Sequence, residues 1–160
     1  MSVLRPITAA EYDAWLETVI PGYAEEKVAS GQWPASSALE RSLKEFAELL
    51  PQGRDTEDNH VYTILGAEGE CVGTLWIAVK DRADRRIAYV YDIVIAPEHR
   101  RRGNAVRAFQ ALEEEVAGLG LGGIALHVFG HNDEAQALYR KLGNVATNIH
   151  MFKAVPAAAA

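Results

Sequence analysis

The segment from Ile93 to Val106 contains residue types that suit an anion site. A β-branched strand end is followed by three consecutive arginines, Arg100 to Arg102, and then by a helix that starts among small residues. The first N–H groups of a helix have no partner within it, and the helix dipole adds positive charge there. Gly103 and Ala105 leave room for a phosphate to approach the backbone. The pattern predicts a phosphate-binding loop, with a solvated arginine-rich loop as the alternative.

A second patterned segment runs from His127 to Gly143. An apolar strand end leads to Asn132, a residue type that caps helices, and the helix that follows carries Leu138 and Tyr139 on one face. The sequence therefore predicts a second strand, loop and helix unit after the first. A strand, helix, strand order of this kind requires a right-handed crossover between parallel strands.

The two segments, in this order, resemble those of the GNAT N-acetyltransferase superfamily. The acetyl-coenzyme A signature of that family, Arg/Gln-x-x-Gly-x-Gly/Ala, is similar to Arg100-x-x-Gly103-x-Ala105. Its Asn-x-x-Ala-x-x-Leu-Tyr helix is similar to the segment that starts at Asn132. The resemblance extends over residues 61–153, and Asn144 departs from it, because the family usually has a core aromatic residue there.

The resemblance implies that acetyl-coenzyme A is the cofactor. The loop amides would bind its pyrophosphate, and the strands at Ile93 to Ile95 and Ile124 to Phe129 would splay apart beside a bulge. The pantetheine arm would then lie in the gap like an added strand. The expected cofactor-binding residues are Ile93, Val94, Ile95, Arg100, Arg101, Arg102, Gly103, Asn104, Ala105 and Asn132.

The resemblance also implies that Tyr139 protonates the leaving thiolate. A phenol with an ordinary pKa of about 10 is a suitable donor to a thiolate whose pKa is about 8.5. The alternative interpretation is an aromatic side chain packed at helical spacing against the core. A domain that binds an acyl-coenzyme A as a sensor, without catalysis, is the alternative function.

Three residues are candidates for the base that deprotonates the amine. Asp92 stands in an otherwise apolar strand, where a carboxylate is costly to bury without a partner. His127 has an ordinary pKa of about 6.5, which suits a base at neutral pH, although a lone strand histidine is more often structural. Glu26 is the third candidate, and water can bridge any of them.

The amine acceptor is not specified by the sequence. The resemblance places the helical segment with Tyr23 and Glu26 beside the acceptor, so these two are the predicted substrate-binding residues. Glu25, Glu57 and Asp58 add an acidic rim that suits a cationic amine, although such carboxylates are usually only solvated. A small molecule and a peptide N-terminus both fit.

The first part of the chain is predicted to be helical. Thr8 and Glu11 form a capping-box pattern before a helix that should end at Pro21, with further turns from Tyr23 to Ala29. Ser37 and Glu40 repeat the box. The apolar face of the second helix is predicted from a spacing of three and four at Leu39, Leu43, Phe46 and Leu50.

The remainder is predicted to alternate strands and helices. The strands are expected at 61–65, 72–79, 87–95, 124–129 and 145–153, and the helices at 103–119 and 133–142. We expect one α/β domain with a mostly antiparallel, twisted sheet of about six strands, parallel at its centre, and helices on both faces. Residues 1–58 would form the helical acceptor side, 60–153 the sheet and cofactor core, and 154–160 a tail.

Composition excludes several other classes. The chain has 160 residues and a net charge of −6, which disfavours nucleic acid as a partner despite the arginine cluster. No leader or membrane span is recognisable, so a cytoplasmic protein is expected. Cys71 is expected to be a small core residue, no metal-ligand set is evident, and a homodimer is left open.

Overall fold

The computed structural model describes residues 3–158 as a mixed α/β fold. In chain order its elements are β1 (Leu4–Pro6), α1 (Ala9–Ala29), α2 (Ala38–Leu49), β2 (Asn59–Leu65), β3 (Cys71–Arg82), β4 (Arg85–Ile95), α3 (Asn104–Gly118), β5 (Ile124–Leu126) and α4 (Asp133–Lys141). Single 3-10 turns lie at Gly53–Asp55 and Pro97–His99.

The sheet confirms the predicted fold class. Its strand order is β1-β2-β3-β4-β5, and all neighbours are antiparallel except β4 and β5. Two details of the prediction are wrong for the described residues. The sheet has five strands instead of about six, and its parallel pair lies at one edge instead of the centre.

α1 begins at the predicted capping box. Thr8 Oγ1 accepts the backbone N–H of Glu11 at 3.2 Å, and Glu11 Oε1 accepts that of Thr8 at 3.0 Å. The predicted end at Pro21 is wrong, because the helix continues to Ala29. Proline removes one backbone hydrogen bond, here at an exposed position. Residues beyond it are packed, since Ala24 is buried and the ring of Tyr23 lies edge-on to Phe46.

Half of the predicted apolar set of α2 is confirmed, since Phe46 and Leu50 are buried, and the other half is wrong. Leu39 and Leu43 are 52% and 51% exposed, whereas the buried residues of the helix are Ala38, Ser42 and Phe46. Ser42 is accommodated because its hydroxyl donates a 2.7 Å hydrogen bond to the carbonyl of Ile20. A hydroxyl partner on α1 therefore sets the rotation of α2, which hydrophobic spacing alone does not reveal.

Two other side chains have partners that the sequence did not indicate. The predicted capping box of Ser37 and Glu40 is wrong, because Ser37 makes no cap and its Oγ accepts a 3.0 Å hydrogen bond from Arg41. Cys71 is exposed instead of belonging to the core, and its Sγ donates to Glu11 Oε2 at 3.4 Å. In both cases the side chain forms a hydrogen bond with a charged residue instead of the predicted contact.

The sheet separates two hydrophobic cores. The α3-side core is mostly aliphatic; its members include Leu4, Ile64, Leu75, Ile77, Val90, Phe109, Leu112 and Val116. The α1-side core is rich in aromatic residues; its members include Tyr12, Trp15, Val19, Phe46, Leu50 and Trp76. Trp76 lies 5.6 Å from Trp15 and 5.4 Å from Phe46 between ring centroids. The two faces of β4 therefore look onto chemically different environments.

The predicted last strand, over Val145–Lys153, is wrong. Residues 144–158 contain no helix or strand, and Val145, Ile149, Met151 and Phe152 are 72–88% exposed. A strand forms only where an edge is available to pair with it. β5 spans Ile124–Leu126 instead of reaching Phe129, so it offers a short edge to its own chain.

Candidate functional site

An opening between β4 and β5 forms the centre of the candidate site. The parallel pairing of β4 and β5 ends at Val90 and Leu126, and beyond this point the two strands are not paired. On the other side of β4 the register with β3 shifts opposite Trp76 and Ile77, which makes Tyr91 the extra residue of a β-bulge. The bulge and the parting of the strands coincide, as expected. Backbone groups of β4 after the bulge therefore face the opening.

Asp92 lies just after the bulge on the α1 side of the sheet. Its Oδ2 is shielded from solvent and has no hydrogen-bond partner among the described residues, and the same holds for the indole nitrogen of Trp15. Burial raises the pKa of Asp92 to about 6, and the neighbouring Trp15 N–H opposes that rise. A carboxyl in this state exchanges its proton near neutral pH.

Tyr139 lies on α4 and packs edge-on against Phe109, with ring centroids 5.4 Å apart. Burial raises the pKa of its phenol to about 12, and the charge of Asp92 adds to the rise. The charge of Asp92 on β4 therefore acts on the phenol of Tyr139, although the two belong to different elements. The phenol keeps its proton at neutral pH.

The loop after β4 leads into α3 through two residues in the left-handed backbone conformation. Arg101 has φ of 60° and Gly103, the N-cap of α3, has φ of 77°. A Cβ on Gly103 would lie 3.2 Å from Arg107 Nη1. The turn thus brings the start of α3 next to a guanidinium with no side chain in between.

Asn104 fixes this loop from within. It is 6% exposed, and its Nδ2 donates a 2.9 Å hydrogen bond to the carbonyl of His99. Arg107 donates to Asn104 Oδ1 and, at 3.0 Å, to the carbonyl of Arg102. The start of α3 is held in place by side chains, which preorganises its free N–H groups for an anion.

Two of the three arginines of the loop have different partners. Arg100 Nε donates a 2.9 Å hydrogen bond to the carbonyl of Ile95, and Arg101 lies 3.7 Å from Glu134 on α4. The Arg101 side chain is 86% exposed. These contacts are weak and solvated, so the arginines can turn toward a phosphate at little cost.

The side chains of Ile93 and Ile95 pack against the α3-side core, whereas Val94 is 41% exposed. Asn132 caps α4, since its Oδ1 accepts the N–H of Ala135 at 3.1 Å. The predicted cofactor-binding residues thus lie along one edge of the opening and at the two helix starts beside it.

The two other candidate bases lie on the α1 side of the opening. His127 is exposed, and partial burial together with the charge of Lys27 lowers its pKa. Glu26 Oε2 is 2.8 Å from His131 Nε2, which joins α1 to the segment before α4. The structure does not bring Glu26 together with Asp92 in any contact.

Aromatic faces line the α1 side near these residues. Lys27 Nζ lies 5.4 Å from the ring centres of Tyr23 and Trp33. Lys80 Nζ lies 4.5 Å from the ring of Tyr89 and 4.6 Å from that of Tyr91. Each pair of rings therefore already holds a cation.

Three residues of the site were missed by sequence reasoning. Trp15 lies on α1, far from Asp92 in the sequence, so no local pattern connects the two. Arg107 lies three residues after Asn104 on the same helix, and that spacing was an available signal. A Cβ on Gly73 would collide with the carbonyl of Val94, so this glycine permits the close approach of β3 to β4.

The sequence profile of the acetyltransferase (GNAT) family matches residues 23–143. The chain belongs to the GNAT acetyltransferase family. YdgE of Bacillus subtilis (strain 168), an uncharacterized N-acetyltransferase, is 33% identical over 150 residues, 94% of this chain and 96% of YdgE. Members of this family generally use acetyl-coenzyme A, and the chain is accordingly an acyltransferase.

Solved structures of this GNAT chain's relatives have the same fold. The crystal structure of YycN from Bacillus subtilis has a TM-score of 0.91 at 32% identity and covers 96% of this chain and 98% of YycN. An aminoglycoside acetyltransferase from an uncultured soil metagenomic sample has a TM-score of 0.57 at 25% identity, covering 96% and 97%.

Two further features, membrane-spanning helices and metal-binding clusters, concern residues 3–158. None of the helices there is long and apolar enough to cross a membrane. Within the same residues, no three His, Cys, Asp or Glu side chains are grouped so that they could hold a metal ion.

Proposed function

We propose that this enzyme transfers an acetyl group from acetyl-coenzyme A to a primary amine by direct attack in a ternary complex. The observation that carries the proposal is the opening between β4 and β5, which has Asp92 on its α1 side and Tyr139 on its α3 side. The charge of Asp92 raises the pKa of Tyr139, which supports a shared site. The same opening leads directly into the arginine loop at the start of α3.

The chain's residues fit the cofactor at two places. The N–H groups at Gly103 to Ala105 and the neighbouring guanidiniums suit a pyrophosphate. The backbone of Ile93 and Ile95 has no strand neighbour on the side of the opening, which suits an extended amide-containing arm that would bind by adding a strand and would replace Arg100 at the Ile95 carbonyl. When bound, acetyl-coenzyme A supplies an activated thioester, and the backbone N–H groups after the bulge would polarise its carbonyl.

Tyr139 would act as the general acid. Its phenol is protonated at neutral pH, because burial and Asp92 raise its pKa to about 12. A pKa this high also makes the phenol a weaker acid than the departing thiol, so proton transfer to the thiolate would be uphill unless the same burial also raises the pKa of the thiol. The edge contact with Phe109 would hold the ring in the direction of the opening.

Asp92 would take the proton from the amine, directly or through water. Its Oδ2 lacks a partner in the described residues, and its pKa of about 6 makes it a base above that pH. His127, whose pKa is lowered, is the second candidate. Glu26 is the third, and its contact with His131 would have to open first.

The acceptor would be a cationic amine that approaches from the α1 side. Tyr23 and Glu26 belong to that side, and the aromatic faces there already attract lysine ammonium groups. The aminoglycoside acetyltransferase among the similar structures acts on a polycationic small molecule, which supports this class. A peptide N-terminus remains the alternative acceptor.

The experiment is a thiol-release assay with acetyl-coenzyme A and a panel of aminoglycosides, polyamines, amino acids and peptide N-termini. Release that depends on one class of amine, and that disappears in Tyr139→Phe, would support the proposal. Release at the same rate without any amine would instead indicate hydrolysis. No release with any amine, from a protein that binds coenzyme A, would overturn the proposed reaction.

A further inference from the structure

The C-terminal segment 145–155 leaves the body of the molecule with its apolar side chains in water. Val145, Ile149, Met151 and Val155 are 72–82% exposed, and Phe152 is 88% exposed. Within the described chain, residues 145–158 make no hydrogen bond, ion pair or ring contact. Five large exposed apolar residues in eleven positions are unusual for a soluble surface.

The segment has the pattern of a strand. Val145, Ile149, Met151 and Val155 are separated by even numbers of residues, so they would lie on one face of an extended chain. Residues 144–155 contain neither glycine nor proline, so the usual residues for a tight reversal are missing. The sequence therefore favours a continuous strand that extends outward and disfavours a segment that folds back.

An edge that could receive such a strand is present on the same molecule. β5 pairs with β4 on one side, and none of the described residues pairs with its other side. A cavity of about 380 Å³ opens beside it, with apolar side chains such as Val116, Leu121 and Ile124 and the polar residues Glu113 and Asn144 in its lining. Open strand edges of this kind are the usual acceptors of an added strand.

We propose that two copies of this chain exchange their C-terminal segments, each placing 145–155 against β5 of the other. The segment starts beside the cavity, since Leu142 and Asn144 line it, but makes no contact with it. A reciprocal exchange is a closed two-fold arrangement, in which one contact pairs both open edges and buries both apolar faces. The occupant of the β5 edge is a second copy.

The first test is the mass in solution. Light scattering after size exclusion should give about 35 kDa, twice the 17.5 kDa of one chain. The double variant Ile149→Asp/Met151→Asp should give a single chain, because charge on the buried face opposes pairing. The matched control Ala157→Asp adds a charge beyond the strand and should remain a dimer. A monomeric wild type, or a dimer that survives the double substitution, would overturn the proposal.

A second test separates exchange from folding back within one chain. In a Cys71→Ser background, one tagged version carries Ala125→Cys on β5 and a differently tagged version carries Met151→Cys. After co-expression, a short thiol-specific cross-linker should join the two tags. If cross-linking occurs only within a single chain carrying both cysteines, the segment pairs in cis and the exchange is wrong. Neither test uses activity, so its outcome is independent of the proposed reaction.

Discussion

The indole N–H of Trp15 lies beside the carboxyl of Asp92, yet neither Trp15 Nε1 nor Asp92 Oδ2 has a hydrogen-bond partner among the described residues. Buried polar atoms without partners are rare, and each one costs stability. Here they occur together at the bulge where the sheet opens. A polar group of the substrate, or a water molecule carrying a proton, would satisfy both.

Asp92→Asn should change the pH dependence of the reaction. In the wild type, kcat/KM should rise through pH of about 6 as the carboxyl ionises and becomes able to accept a proton. The variant keeps the shape and loses this base, so its profile should move to higher pH, where the amine is already neutral. Steady-state rates from pH 5 to 10 would show it.

His127→Gln is the matched control for this profile, because His127 is another candidate base on the α1 side and its pKa is also shifted. A shift in His127→Gln and none in Asp92→Asn would assign the base to the histidine. Unchanged profiles in both variants would leave Glu26 as the next candidate.

Asp92→Asn should also stabilise the fold. The pKa of Asp92 is about 6 in the folded protein and 3.8 ordinarily, so the native state binds more protons between these values and loses stability as pH rises. The full difference is worth roughly 3 kcal/mol. Asp92→Asn should therefore be about 2–3 kcal/mol more stable than wild type at pH 8, with no difference near pH 3. Urea unfolding at both pH values measures this, and equal stability at pH 8 would contradict it.

Tyr139→Phe should lower kcat by about a hundredfold or more, because it removes one general acid and leaves the ring contact with Phe109 in place. Its affinity for coenzyme A should be unchanged by calorimetry. Tyr62→Phe is the control: that phenol also has a pKa raised to about 12 by burial, but it lies on β2. Equal effects of the two substitutions on kcat would mean that Tyr139 contributes only packing.

Gly103→Val should weaken coenzyme A binding. The residue has φ of 77°, and its new side chain would press on Arg107 at the start of α3. Gly120→Val is the control, because Gly120 has φ of 71°, has open space around it and lies at the other end of α3. Both variants should lose similar stability through backbone strain, and only Gly103→Val should lose affinity in calorimetry. Unchanged affinity in a folded Gly103→Val would move the phosphate site elsewhere.

The features that local patterns predicted correctly are those whose partners lie close in the sequence. The Thr8 capping box, the hairpin of β2 and β3, and the Asn132 cap were all visible because their partners lie within a few residues. The bulge at Tyr91 was expected only through the family resemblance. The roles of the site residues remain predictions.

Several of the failures involve distant partners. The rotation of α2 depends on Ser42 meeting Ile20, and the exposure of Cys71 depends on Glu11. A strand over residues 145–153 was predicted from composition, but strand formation is decided by which edge is within reach. Pro21 shows the converse, since the helix continues past this local breaker to packed residues, among them Tyr23 and Ala24.

The uneven division of aromatic residues between the two cores gives the molecule a built-in optical probe. All three tryptophans of the chain, Trp15, Trp33 and Trp76, lie on the α1 side of the sheet, with none in the α3-side core. Intrinsic fluorescence should therefore respond to the acceptor amine more than to the nucleotide half of the donor. Because Trp15 adjoins Asp92, its emission should also titrate with a midpoint near pH of about 6, and that midpoint should vanish in Asp92→Asn.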